Sequence, residues 1–346
     1  MNTTILLLLA QDGITNGAIY ALLGFGLVLV FAVTRVILIP QGEFITFGAL
    51  TYAALSSGKL PGTAELACAL GFVAFCMEMF SIRHQFTTGR IVRAAALYIL
   101  ASALALVLAQ FAGGDTSSAT INIALSLMIV SPIGLYLYRI AYQPIAHASV
   151  LVLLIASVGV HLALQGLALL FFGAEGMRAP TITDVAASIG PLRVTGQTLA
   201  VYIITVSLIV ALWLFFGHTV YGKALRATAV NRIGARLVGI RTVLSGQIAF
   251  MLAAGIGAIS GILIVPMTTI YYDSGFLIGL KGFIAAIVGG LASYPLTAAA
   301  AVAVGVVEAF SSFYASNFKE VIVFALILPV LLARSLSAPT IEEEKD

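Results

Sequence analysis

The chain has 346 residues, of which 61% are hydrophobic and only 9% charged. A water-soluble domain carries about a quarter charged residues, so 17 Lys and Arg with 14 Asp and Glu cannot solvate a globule of this length. Composition therefore excludes a set of soluble domains and points to one all-α, polytopic transmembrane helix bundle over 1–346, and the net charge of +3 calls for no nucleic-acid partner.

Met1 to Leu9 is apolar but lacks the basic start of a secretory signal, so it reads as a short interfacial lead-in rather than a cleaved segment. A membrane span takes about 20 apolar residues, and that ruler finds about eleven segments, of which about nine to eleven are true crossings. They are 14–34, 36–57, 62–82, 92–112, 119–138, 149–172, 198–217, 246–270, 276–293, 296–314 and 319–334. Polar or glycine-rich stretches interrupt the second and the ninth, which reads as broken or re-entrant helix. Cys68 and Cys76 share one segment about 12 Å apart along a helix, too far for a disulfide, and read as small buried apolar residues.

Between the sixth and seventh segments, Pro180 to Thr183 and Pro191 to Val194 are β-prone runs suited to a small hairpin. Gly13/Gly17, Gly257/Gly261 and Gly275/Gly279 have the spacing at which small residues let helix backbones approach in lipid. Basic residues cluster in 83–93 and 218–245 and recur at Arg35, Arg139 and Arg334, whereas Asp12, Asp115 and Asp273 fall at the opposite ends. Eleven crossings put every basic loop on one side, which predicts an N-terminus outside and a cytoplasmic C-terminus with a short tail at 336–346.

Enzyme signatures are weak. Gly217 to Lys223 fits GxxxxGK, but Ala224 stands where a phosphate loop needs Ser or Thr, and the run follows an apolar helix instead of a strand. His84, His147, His161 and His218 have no spacing that pairs two on one helix face for a metal.

Polar groups inside apolar segments are costly and point to transport. Pro40-Gln41-Gly42-Glu43 removes a helical donor and loosens a turn, giving either a discontinuous helix lining a cavity or an interfacial kink near Arg35. Lys281 needs an acid partner, Glu308 or Glu43, and either shapes a pathway or holds a broken helix in place. Glu308 lies about two turns from the end of its helix, within reach of a water-filled cleft. From Lys223 to Val238, Leu225, Ala229, Ile233 and Leu237 fall on one helical stripe, with Arg232 and Arg236 together on another and Gly239 as a stop. Such a basic amphipathic helix lies on lipid headgroups or docks into a partner's groove.

Two sets of residues carry a resemblance. Gly13-Ile14-Thr15-Asn16-Gly17-Ala18-Ile19-Tyr20-Ala21-Leu22 and Pro40-Gln41-Gly42-Glu43-Phe44 form the first. The second holds Gly222-Lys223-Ala224-Leu225-Arg226-Ala227, Leu237-Val238-Gly239-Ile240, the run from Gly279 to Gly290, and Glu308-Ala309-Phe310-Ser311-Ser312. Over 10–55 and 200–335 the chain resembles the membrane subunits of the branched-chain (hydrophobic) amino acid ABC importers, while 60–140 matches poorly.

The resemblance implies an inner-membrane permease that pairs with a second, homologous or identical permease. It also implies two cytoplasmic ATPases that bind ATP and Mg²⁺, an extracytoplasmic solute-binding protein, and no cofactor on this chain. The loop around 222–240 is similar to the family's coupling helix, which seats in the ATPase, so Arg226, Ala229, Asn231, Arg232, Arg236 and Gly239 are expected to carry coupling. Gln41, Glu43, Lys281 and Glu308 are the pathway or gating candidates. The family loop commonly has an acid after its Arg-Ala element, where this chain has Val230-Asn231. Family substrates span branched-chain amino acids, urea, short amides and aromatic acids. The competing expectation is an ion-coupled secondary transporter, for which Glu43 and Glu308 are the available carboxylates.

Overall fold

The computed structural model describes residues 3–82, 88–112, 118–183, 185–189 and 192–337. Each apolar run closes its backbone hydrogen bonds within itself, as a lipid environment demands. The helices in chain order are α1 (Thr3–Thr34), α2 (Gln41–Ser56), α3 (Gly62–Ile82), α4 (Thr88–Ala95), α5 (Ala101–Ala112), α6 (Ala119–Leu137) and α7 (Val150–Phe172). They continue with α8 (Gly196–His218), α9 (Val220–Val230), α10 (Arg232–Leu237), α11 (Thr242–Ile264), α12 (Ser274–Val288), α13 (Tyr294–Tyr314), α14 (Lys319–Ala325) and α15 (Ile327–Ser337). A π-helical turn at Ala96–Leu100 joins α4 to α5, and a second at Tyr138–Tyr142 extends α6.

The architecture is a polytopic all-α bundle. Among the described residues, eight helices are long and apolar enough to cross a membrane. The interruptions expected in the second and ninth segments are real: α2 has 16 residues and α12 has 15. The last segment differs from the continuous span expected over 319–334, because it breaks at Leu326 between α14 and α15. Pro329 explains this: it lacks an N–H, and its ring clashes with the carbonyl four residues back. The lead-in is also corrected, since Thr3 to Leu9 are the first turns of α1 and not a separate element.

An inner group of helices is wrapped by an outer one. In the most apolar windows, 83% of α1 and 72% of α11 is buried, against 22% of α7 and 17% of α8. α2 is buried on every face from Gln41 to Leu55, the signature of a helix at the centre of a bundle. The three glycine pairs are all spent on this inner packing. Gly13 and Gly17 lie against Val306 and Val302 of α13, Gly257 and Gly261 against Phe44 and Ile45 of α2, and Gly275 and Gly279 against Gly42.

Two smaller expectations are corrected. Antiparallel strands β1 (Ala187–Ile189) and β2 (Leu192–Val194) do form a hairpin, but its first strand is not the Pro180–Thr183 run. Arg178 ties that earlier stretch down by donating to the Pro266 carbonyl, and Met177 bridges to Ile270. Neither cysteine is buried as expected: Cys68 is half-buried and Cys76 exposed, because both lie on the peripheral α3. Arg83, His84, Asp115, Asp184, Pro191 and the tail beyond Ser337 lie outside the described residues.

Candidate functional site

The break before α2 decides between the two readings of Pro40 to Glu43. α1 ends at Arg35 in a left-handed conformation (φ 62°), and residues 35–38 then run without helix, with Val36 and Leu38 buried. α2 begins deep in the bundle. Gln41 Nε2 donates to the carbonyl of Ala253, the middle residue of α11, at 3.0 Å. Glu43 Oε1 meets Nδ1 of His161, the middle residue of α7, at 2.9 Å. A helix start level with the midpoints of two long helices is a discontinuous helix, not an interfacial kink.

α12 begins at the same place. A Cβ at Gly42 would collide with the Gly275 carbonyl, and the Gly275 N–H donates to Thr46 Oγ1 at 3.0 Å. Phe276, the third residue of α12, stacks on the His161 ring with centroids 4.6 Å apart. The first turns of two half-length helices thus converge with their free N–H groups inside the protein. Glu43 sits in the first turn of α2, where a helix dipole favours negative charge. Two acceptors here, Glu43 Oε2 and Gln41 Oε1, are buried without a hydrogen-bond partner among the described residues.

A second polar cluster holds the far side of α12. Lys281 Nζ donates to Glu308 Oε1 at 2.5 Å and to Glu320 Oε1 at 3.3 Å, and Tyr20 donates to Glu308 Oε2 at 2.5 Å. Of the two partners considered for Lys281, the geometry selects Glu308, while Glu43 is taken by His161. Four helices meet here: α1, α12, α13 and α14. The Lys281 and Glu308 side chains are 6% and 11% exposed, so each ion depends on the other for its compensation.

The basic segment 218–245 is two helices. α9 ends at Val230, Asn231 turns the chain (φ −149°, ψ 103°), and its Oδ1 caps α10 by accepting from the Gly234 N–H at 2.8 Å. Gly239 closes α10 with φ 84° while its N–H donates to the Arg236 carbonyl. The expected single stripe is therefore split: Leu225 is buried, whereas Ile233 and Leu237 are 74% and 83% exposed. Val230 and Val238 are exposed beside them. Arg232 reaches back to the Ala146 carbonyl and Arg236 to Thr242 Oγ1. Arg226 and Ala229 sit one helix earlier, lining a cleft between α1, α8, α9 and α13.

Sequence reasoning missed His161, Tyr20 and Glu320. His161 carried a readable signal, since it is the sole titratable residue in α7 and so needed a buried partner. Glu320 opens α14 next to Lys319, and nothing in its spacing points to Lys281. The GxxxxGK run is helix on both sides of a one-residue junction at Thr219, so no phosphate-cradling loop exists there.

A family model described as the permease component of branched-chain amino acid transport systems matches residues 9–331. The chain belongs to that family. The match runs through 60–140, so the stretch that matched poorly by its motifs falls within the matched span. Among curated relatives, the chain is 26% identical to the high-affinity branched-chain amino acid transport system permease protein LivH of Escherichia coli K12, over 96% of each protein. LivH of Salmonella typhimurium matches equally, and BraD of Pseudomonas aeruginosa is 25% identical over the same shares. No solved structure matches the chain at a significant level. As a family member, the chain is a membrane permease component built of multiple spanning helices.

Proposed function

We propose that this permease carries branched-chain amino acids, or small organic solutes of similar shape, inward across a bacterial inner membrane. It pairs with a second permease, homologous or identical, and receives its solute from an extracytoplasmic binding protein. Two separate ATPases supply the power; ATP and Mg²⁺ reside on them, and this chain carries no cofactor. Its similarity to LivH and BraD, permease proteins of branched-chain amino acid transport systems, supports the solute class. The basic bias of 83–93 and 218–245 supports a cytoplasmic C-terminus and an external N-terminus.

One observation carries the reading. Val230, Ile233, Leu237 and Val238 are large apolar side chains exposed on a short capped helix and its flanks, within a segment free of Asp and Glu. An apolar helix face with a basic surround fits a groove on a partner, and Asn231, Arg232, Arg236 and Gly239 fix its shape and rim. α9 connects it to α8, and a short turn through Gly239 connects α10 to α11, against which α2 packs.

The pathway belongs at the crossing of α2 and α12. Half-length helices meeting at mid-depth are a recurring way to build a solute site, and Gln41 and Glu43 offer the unpartnered acceptors there. Lys281 and Glu308 form the clamp that holds α12 against α13 behind that crossing. The test is solute uptake into vesicles containing the permeases, ATPases and binding protein. Uptake should require ATP and persist with an uncoupler. Uptake that continues without ATP and collapses with an uncoupler overturns the reading in favour of ion coupling.

A further inference from the structure

A cleft of about 710 Å³ opens between α1, α8, α9 and α13, within the size range of small-molecule sites, about 300–1,000 Å³. Leu29, Phe216, Tyr294 and Ala298 are among its apolar lining, and Trp213, the chain's one tryptophan, stands 67% exposed on its wall. α8 leans on α1 near the opposite end, where Tyr202 and Thr15 hydroxyls meet at 2.9 Å, and parts from it lower down. α9 crosses beneath and contributes Arg226, the single charged residue of the lining.

We propose that this cleft binds an anionic phospholipid, its acyl chain against the apolar wall and its phosphate on Arg226. Depth, charge and alternatives all point this way. The cleft takes in the last turns of α8 around Trp213 and reaches Arg226 on α9, and tryptophan is enriched at the membrane boundary. Arg226 and Lys223 are exposed three residues apart on one face of α9, and 218–245 contains no acid to neutralise them. Basic pockets between spanning helices on the cytoplasmic side take anionic headgroups. A second copy of this chain is the poorer occupant: its apolar helices would bury the guanidinium, and its membrane acids Glu43 and Glu308 are already paired inside.

Native mass spectrometry of the full chain in mild detergent, with phosphatidylglycerol and phosphatidylcholine supplied in equal amounts, tests this. Phosphatidylglycerol should be retained preferentially. Arg226→Gln should cut that preference by about fivefold, the weight of one basic residue at an anionic surface, and Arg226→Lys should keep most of it. Ala298→Phe, which fills the wall without touching the charge, should lower retention of both lipids. Equal retention by the wild-type chain, or an Arg226→Gln protein with undiminished preference, overturns the proposal. So does efficient disulfide cross-linking of Trp213→Cys between two copies in the membrane, which would show protein covering the cleft. None of these readouts requires the ATPases, so failure here leaves the transport reading untouched.

Discussion

Glu43 and His161, 118 positions apart in sequence, meet at 2.9 Å where α2 begins inside the bundle. α7 is otherwise a peripheral, largely exposed helix, and this bond with Tyr142–Ser157 (3.1 Å) forms its polar tie to the interior. The pair fixes both the height at which α2 starts and the rotation of α7.

His161→Leu removes the partner of a carboxyl that is fully buried. Breaking one side of a buried pair costs about 3–5 kcal/mol, because the remaining group is neither solvated nor compensated. Glu43→Gln keeps a hydrogen-bonding group beside the ring and should cost about 1 kcal/mol. Thermal melts of the two variants in detergent should separate them clearly. Equal melting temperatures would show that the pair bears no weight in the fold.

Lys281 serves two carboxylates at once, and its loss leaves Glu308 and Glu320 facing each other. Lys281→Met should therefore destabilise by about 3–5 kcal/mol and abolish uptake. Adding Glu308→Gln removes the stranded charge, so the double variant should be more stable than Lys281→Met alone. Tyr20→Phe deletes a hydrogen bond to the same carboxylate and should cost about 1.5–3 kcal/mol. A double-mutant cycle read by thermal unfolding measures the coupling, and additive effects would contradict the clamp.

Legibility in the sequence followed the strength of the physical signal. Long apolar runs announced the spanning helices, and Pro40 with Gly42 announced the break in α2, because lipid and proline leave the backbone little choice. Lys281 with Glu308 was readable as a pair because two opposite charges in apolar surroundings need each other. His161 and Glu43 were not matched, since a single histidine names no partner across 118 residues. The split of α9 from α10 was hidden because helical periodicity runs straight through Asn231. Only the backbone dihedrals there, and the cap its side chain makes, reveal the turn.

Glycines divide into two kinds that substitution can tell apart. Gly42→Ala would drive a methyl group into the Gly275 backbone at the crossing of two helices, where neither can retreat without moving the bundle. Overpacking of this kind costs about 1–3 kcal/mol. Gly159 and Gly166 in α7 have no heavy atom within 4 Å of an added Cβ. Alanine at either should stabilise the helix by about 0.4–1 kcal/mol. Melting temperatures should move in opposite directions, and a shared sign would refute the packing assigned to Gly42.

The ATPase-docking proposal separates shape from surface on α10. Gly239 is left-handed with open space around it, so Gly239→Ala meets only a conformational penalty of about 1–2 kcal/mol. Asn231→Ala deletes the cap at the other end for about 1 kcal/mol. Both variants should loosen α10 and lower ATPase co-purification partially. Ile233→Asp and Leu237→Asp act differently: these side chains already face solvent, so folding should be unaffected while the apolar contact with the partner is lost. Co-purification in mild detergent should then fall furthest for the aspartates, although their melting temperatures match the parent. Aspartate variants that retain the ATPases while Gly239→Ala loses them would place the contact elsewhere than on this face.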